Sequence, residues 1–242
     1  MIDRLTSVDG VREERDGTPC ADLLVRRPGV GAVDAAREIL NILPGWLAAT
    51  ADEQLADALL AEGASLVRHA HVMRRALADD GLVPSGWTIL PFTDEAEPPR
   101  PWADVLPNFL AAYPPDHPDH LSGEEALIED YLIPYTRGGR LGPLISTASG
   151  LAVATETVVG GILVVDRPGE GPWISDIWRG PDPEFRGAGA ALVAWSIGRL
   201  TRAGYPSLGL AVSDANPRAR EVYGRAGFIL EQTAWTVRLP DG

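Results

Sequence analysis

Two short stretches carry residue types that could hold and transfer a chemical group. The first reads Pro-Glu-Phe-Arg-Gly-Ala-Gly-Ala-Ala-Leu, from Pro183 to Leu192. Gly187 and Gly189 remove side chains where a ligand could press on the backbone. Val193, Ile197 and Leu200 follow at helical spacing, with Arg199 and Arg202 turned outward, until Gly204. The loop therefore opens a helix, and its unpaired N–H groups and positive dipole end make a seat for phosphate or pyrophosphate. No Gly-Lys-Ser/Thr follows and the G-x-G-x-x-G spacing is absent, so it is neither a P-loop nor a dinucleotide fingerprint. A tight turn that only needs small residues is the competing reading. In the second stretch, Asn216 is a good N-cap and Pro217 suits the first helical position. Ala219, Val222, Tyr223 and Ala226 share one face. Gly227 fits a left-handed ending that folds Phe228 back on Tyr223. The phenol of Tyr223 thus has a fixed direction, as a chemical group or as a core aromatic.

Two strands must position these stretches. Trp173 to Trp178 is rich in β-formers and leads into the loop. Ser207 to Val212 is an apolar run that reads as a buried strand. The order is strand, loop, helix, strand, helix. Arg186-x-x-Gly189-x-Ala191 resembles the first signature of the GNAT-type N-acetyltransferases. Asn216-x-x-Ala219-x-x-x-Tyr223-x-x-x-Gly227-Phe228 resembles their second, in the right order. The resemblance is clearest from Trp173 to Leu239 and looser from about Gly86.

This resemblance implies an α/β (α+β) fold: a mixed, mostly antiparallel sheet flanked by helices. It implies acetyl-coenzyme A as cosubstrate, with its pyrophosphate on Arg186, Gly187, Ala188, Gly189, Ala190 and Ala191. Asn216 and Tyr223 match the family's positions beside the cofactor. The pantetheine arm is expected along the end of the preceding strand, at Ile177, Trp178 and Arg179. The segment from Ile177 to Pro183 departs from the pattern: it is about two residues longer than usual and holds two prolines, which donate no N–H. Which of Ile177, Trp178, Arg179 and Asp182 meets the arm is therefore open.

Acetyl transfer to an amine needs a proton acceptor, a donor to the carbonyl oxygen and an acid for the leaving thiolate. The resemblance assigns the acid to Tyr223. It points to backbone N–H groups where the strand before the loop parts from its neighbour as the carbonyl donor. Asp176 is the first candidate base, one alternation from Trp178 and so on its face; an exposed strand carboxylate or a structural salt bridge is the competing reading. Glu156 is the second candidate.

Composition bounds the rest. Apolar content of 45% and charged content of 23% are ordinary for a soluble globular chain. Against 34 acidic residues stand 21 basic ones, all arginine, for a net charge of −13. An acidic chain without a basic run is a poor candidate for nucleic acid or anionic membrane, and favours a cationic partner such as an amine. Cys20 is the sole cysteine, which excludes an internal disulfide and fits a cytoplasmic setting. The expected reaction is direct attack of a primary amine, of a small molecule or peptide, on acetyl-coenzyme A. The alternative is a non-catalytic acyl-coenzyme A sensor or scaffold. A homodimer is allowed, and no metal is expected.

The chain divides by sequence into an N-terminal α/β segment, 1–82, and a GNAT-like domain, 83–242. Residues up to about Pro19 look loosely held. Ala21–Arg26 reads as a strand and Val33–Leu43 as a helix. Thr50-x-x-Glu53 reads as a capping box opening a helix through Glu62. Gly63 ends it before a strand at Leu66–Met73. Helix, glycine and strand here parallel those near the C-terminus; the readings are coincidence or a truncated GNAT-like half without its own glycine-rich loop. His69 and His71 share one strand face, but His117, His120, Cys20 and the carboxylates offer no helpful spacing for further metal ligands, so a surface pair or pocket rim is expected. Asp79–Ser85 marks the boundary. Trp87–Phe92, Leu144–Thr147, Leu151–Glu156 and Val158–Asp166 read as strands, the last with a bulge at Gly160-Gly161. Trp102–Tyr113 and Ser122–Tyr135, the second opened by a capping box at Ser122 and Glu125, read as helices bordering the acceptor, with Tyr113, Glu129, Asp130 and Tyr135 as candidate substrate contacts.

Overall fold

The computed structural model describes residues 2–15, 18–78, 86–115, 127–137 and 141–241. A 3-10 turn at Ile2–Arg4 leads into β1 (Val8–Arg15) and β2 (Thr18–Arg26), then α1 (Ala32–Ile42) and β3 (Leu47–Thr50). Next come α2 (Glu53–Ala61), β4 (Ser65–Ala76), β5 (Thr88–Pro91) and α3 (Trp102–Ala112). A π-helical stretch, Leu127–Leu132, continues as the short α4 (Ile133–Thr136). After a 3-10 turn at Ser146–Ala148 follow β6 (Gly150–Ala154), β7 (Thr157–Arg167) and β8 (Gly171–Arg179). The chain ends with α5 (Ala188–Arg202), β9 (Ser207–Ser213), α6 (Pro217–Arg225) and β10 (Ile229–Arg238). The class is mixed α/β with mostly antiparallel strands, as expected. Among the described residues no helix is long and apolar enough to cross a membrane.

The chain forms two compact units. The first comprises Met1–Val72, Val212–Ala215 and Leu230–Gly242. Its strands lie in the order β1-β2-β3-β10-β4. β1 and β2 form an antiparallel hairpin, β2 and β3 run parallel across α1, and β10 returns antiparallel to β3. Leu24, Ile39, Leu43, Leu55, Leu59 and Val237 build its core. Apolar positions on α1 recur at helical spacing, so Ala35, Ala36 and Ile39 are buried together.

Two expectations here are corrected. The described residues before Pro19 are not all loose, because they supply β1 and the start of β2. β1 reads Val-Asp-Gly-Val-Arg-Glu-Glu-Arg, and charges suit the edge strand that it forms. Thr50 is not a helix cap either. It ends the four-residue strand β3, where its hydroxyl donates to the Leu24 carbonyl at 2.6 Å. Asp52 caps α2 instead, accepting from the Leu55 N–H at 3.2 Å.

The second unit comprises Met73–Ala211 and Asn216–Ile229. Its strands lie in the order β9-β8-β7-β6-β5. Only β8 and β9 are parallel; β8/β7, β7/β6 and β6/β5 are antiparallel. α3 packs on β7 and β8, and α5 packs on β6, β7 and β8. Phe109, Leu151, Ile162, Leu163, Leu192 and Ile197 are fully buried there. The bulge expected at Gly160-Gly161 lies one residue earlier, with Val159 unpaired between Ala152↔Gly160 and Val153↔Val158. The expected strand Leu144–Thr147 is a single bridge, Leu144↔Val165, followed by the 3-10 turn. The expected boundary Asp79–Ser85 lies outside the described residues, as does the box at Ser122 and Glu125.

Within the first unit, Glu38 on α1 ties down the chain before β1. Its carboxylate accepts from the Thr6 N–H at 2.9 Å, the Thr6 hydroxyl at 2.6 Å, the Ser7 N–H at 2.8 Å and the Ser7 hydroxyl. Burial raises its pKa, but these hydrogen bonds outweigh burial and hold it at about 2, against an ordinary 4.5. A depressed carboxylate contributes stability that is complete above its unfolded value and is lost as pH falls through its folded value. Denaturant titrations should therefore show stability falling between pH 4.5 and about 2. Glu38→Gln should be less stable than the parent at pH 7 and equal to it near pH 2; an unchanged pH profile in this variant would contradict the assignment.

Candidate functional site

The site begins at an irregularity in β8. This strand pairs with β7 from Gly171↔Arg167 to Arg179↔Gly160, with Ser175 unpaired between Ile174↔Val164 and Asp176↔Leu163. The Ser175 hydroxyl donates to the Leu163 carbonyl at 3.1 Å. The extra residue shifts the alternation, so Trp173, Asp176 and Trp178 fall on one face. Among the described residues, the register of β8 with β9 is Trp173↔Gly209 and Ile174↔Leu210. The bulge and the end of that pairing coincide, leaving Asp176 to Arg179 beyond it.

Asp176 and Trp178 share a face, as expected, and α3 covers it. Asp176 is 7% exposed. The Tyr113 hydroxyl lies 2.6 Å from its Oδ1 and 2.9 Å from the Ile177 carbonyl, so one phenolic proton serves two acceptors. The reading of Asp176 as an exposed strand carboxylate is thereby corrected. Trp178 is 2% exposed and packs edge-on against Phe109 at 5.1 Å. Ile177 and Arg179 are half-buried. Glu156 sits in an exposed turn, 2.9 Å from Arg100. Glu129 is exposed; the side chains of Asp130 and Tyr135 lie outside those described.

The loop leaves the sheet under tight control. The Gly180 N–H donates to the Val159 carbonyl at 2.9 Å, the residue left unpaired by the β7 bulge. A side chain on Gly180 would lie 2.3 Å from Asn108 Oδ1, whose amide donates to the Val158 carbonyl at 2.8 Å. Asp182 accepts from the Glu184 N–H at 2.8 Å, and its carbonyl accepts from the Arg179 guanidinium at 2.9 Å. Gly187, at φ 95°, is the left-handed N-cap of α5. No side chain caps α5 and no acid lies in its first turn, so its leading N–H groups and positive dipole end suit an anion. Ala188 and Ala191 are buried, while Arg186 and Ala190 are exposed. A Cβ on Gly189 would meet nothing within 4 Å. Packing thus does not require glycine at 189, whereas backbone conformation does at 187.

α6 is fixed at both ends. Asn216 Oδ1 accepts from the Ala219 N–H at 3.1 Å. Gly227 is left-handed at φ 84°, with hydrogen bonds Gly227 N–H to Gly224 O and Phe228 N–H to Tyr223 O, both 3.0 Å. This is the expected Schellman ending. Tyr223 is 7% exposed and stands edge-on to Phe228, with 5.9 Å between ring centroids. Arg218 occupies the second position of α6, where the dipole disfavours a cation. Burial, and then the charge of Arg218, lowers the pKa of Arg179, with Asp182 opposing. Sequence spacing carries no signal for this repulsion, because it joins β8 to α6.

Residues 102–228 match the model of the acetyltransferase (GNAT) family. The chain belongs to the GNAT family. The GNAT fold is shared with a GCN5-related N-acetyltransferase from Sphaerobacter thermophilus at 19% identity and TM-score 0.64, over 98% of this chain and 78% of that one. It is also shared with a GCN5-related N-acetyltransferase from Kribbella flavida at 16% identity and TM-score 0.56, over 98% and 88%. A GNAT-family acetyltransferase from Colwellia psychrerythraea aligns at 11% identity and TM-score 0.57, over 95% and 81%. These likenesses show the fold.

The two glycines of the GNAT loop should separate in a stability measurement. Gly187→Ala places a Cβ in the left-handed region and should cost about 1–2 kcal/mol. Gly189→Ala, in the first turn of a helix with open space beside it, should be neutral or stabilise by up to about 1 kcal/mol. Equal destabilisation of the two in thermal melts would show that Gly189 serves packing after all.

Proposed function

We propose that the chain is an N-acetyltransferase that moves the acetyl group of acetyl-coenzyme A to a primary amine of a small molecule or peptide. The observation that carries this reading is the start of α5. Its N–H groups are uncapped, its N-cap is a left-handed glycine, and Gly189 leaves the adjoining space open. Arg186 to Ala191 would hold the pyrophosphate there. The like-charged pair Arg179 and Arg218 adds to the attraction for a polyanion. Asn216 keeps α6 in place through its cap, and the backbone of Ile177, Trp178 and Arg179 borders the pantetheine arm.

When bound, acetyl-coenzyme A supplies an activated thioester. Backbone N–H groups of β8 beyond the bulge would donate to the acyl carbonyl. Asp176, directly or through water, takes the proton of the attacking amine, and Tyr223 donates its phenolic proton to the departing thiolate. The acidic surface, net −13, favours cationic amines near the protein. A cytoplasmic setting accords with Cys20, the sole cysteine, which is buried. The second reading, an acyl-coenzyme A sensor, draws on Asp176: a carboxylate held by Tyr113 in a buried position can be structural alone.

Gly189→Glu should abolish coenzyme A binding in calorimetry while the protein remains folded, because it puts bulk and negative charge where the pyrophosphate rests. Unchanged affinity would place the cofactor elsewhere. Tyr223→Phe keeps the ring and removes the hydroxyl. Turnover should fall about 10²-fold, the low end for a positioned acid, with little change in coenzyme A affinity. Parent-like turnover across pH would leave Tyr223 as a core aromatic. Binding by both proteins without acetylation of any amine in a panel would favour the sensor.

A further inference from the structure

The first unit holds a cluster of metal-ligand side chains apart from the acetyltransferase loop. His69 and His71 alternate on β4, and Asp214 follows β9 within the same unit. The Asp214 N–H donates to the His69 carbonyl at 2.8 Å, which brings its carboxylate to both rings. His71 Nε2 lies 2.8 Å from Asp214 Oδ1, and His69 Nδ1 lies 3.5 Å from Oδ2. One ligand atom from each residue falls within 4.8 Å of the others. For metal–ligand bonds of 2.0–2.2 Å, the edge of a tetrahedron is about 3.3 Å, so these separations surround a small cation without rebuilding the backbone.

Both rings are already oriented. His71 Nδ1 lies 3.1 Å from Thr233 Oγ1, the outer contact that leaves Nε2 to ligate. His69 stacks on Trp235 with 5.0 Å between centroids and 13° between planes. Its Nε2 is buried and makes no hydrogen bond among the described residues, so Nδ1 is the nitrogen aimed at the cluster. The rings line a cavity of about 520 Å³ with Ala51, Glu53, Gln232, Thr233 and Trp235, and this cavity gives access for an incoming ion and a fourth ligand. Two imidazole nitrogens directed at one carboxylate can each donate an N–H to it or share a cation with it. Asp214 and Glu53 disfavour an anion. Two imidazoles with one carboxylate suit zinc and its neighbours rather than magnesium or calcium.

We propose that His69, His71 and Asp214 form a binding site for a divalent transition-metal ion of the zinc type. Three protein ligands leave the fourth position to water or a small donor from the cavity. Metal and protons compete for the same nitrogens, so affinity falls with pH.

The test uses the full chain, stripped with chelator and titrated with Zn²⁺ alone by calorimetry. The expected result is one equivalent bound at about micromolar Kd or tighter, at least tenfold weaker at pH 5 than at pH 7.5. His69→Phe preserves the stack on Trp235, and Asp214→Asn preserves shape; each should lose at least tenfold in affinity while keeping the parent melting temperature in chelator. The double variant His117→Ala/His120→Ala should bind as the parent does. Zn²⁺ should raise the parent's melting temperature but not that of His69→Phe. Binding no tighter than millimolar, equal binding by His69→Phe and Asp214→Asn, or loss in the His117/His120 variant would overturn the proposal.

Discussion

A tryptophan ring lying on a glycine sets the geometry of the second unit. A Cβ on Gly161 would come within 2.3 Å of the Trp178 ring, and one on Gly160 within 2.6 Å of the Trp178 carbonyl. No other residue type allows β7 and β8 to approach this closely while Trp178 stays buried on Phe109. Full burial of a large aromatic is worth roughly 2–3 kcal/mol from area alone, with edge-on ring contact adding to it. That contact fixes α3 over the end of β8, and so fixes Tyr113 on Asp176. It also fixes where the loop departs, since the Gly180 N–H goes back to Val159. The α5 N-terminus inherits its direction from this clamp.

The first unit repeats the same backbone grammar with opposite electrostatics. Between β2 and α1 the chain turns through Gly29, left-handed at φ 83°, to the N-cap Gly31. Asp34 stands in the first turn of α1, its Oδ2 only 3.2 Å from where a Cβ of Gly31 would be. Arg26 is committed to Asp52, Gln54 and the Val30 carbonyl. A carboxylate already answers this helix dipole, and an ion pair already answers this arginine. Among the described residues α5 has no such acid in its first turn, and for that reason the phosphate seat is proposed there. α2 and α6 are alike in detail: nine residues each, a side-chain N-cap, and a left-handed glycine after the last turn. This likeness supports the proposal that residues 1–82 derive from a truncated GNAT-like half.

What the sequence revealed, and what it hid, follow from the range of the forces involved. Asn216, Gly227 and Phe228 act within one helix, so their caps could be assigned before any fold was known. Gly187 was legible for the same reason. β1 was hidden because an edge strand can carry many charges, and five of its eight residues, Asp9 and Arg12 to Arg15, are charged. β3 was hidden because a four-residue strand, buried throughout, shows no alternation. Thr50 and Glu53 have capping-box spacing, and only the strand pairing of Thr50 hands the cap to Asp52. The bulge at Ser175, the hydrogen bond from Tyr113 to Asp176 and the approach of Asp214 to His69 and His71 all join distant segments. Local spacing carries no signal for such pairings.

The charge balance favours arginine where the proposed cofactor would sit. A chain of net charge −13 repels a polyanion at long range, although salt screens this beyond about 10 Å. Close attraction must then come from fixed donors and from cations that keep their charge in a half-buried position. Burial and the charge of Arg218 both work against protonated Arg179. A lysine in the same place starts from a lower reference pKa and yields its proton more readily; a guanidinium remains charged and presents a planar fork to phosphate oxygens. The repulsion between Arg179 and Arg218 is a cost in the protein alone. An anion held by both would turn that repulsion into attraction, so the pair would add to phosphate binding at the proposed seat.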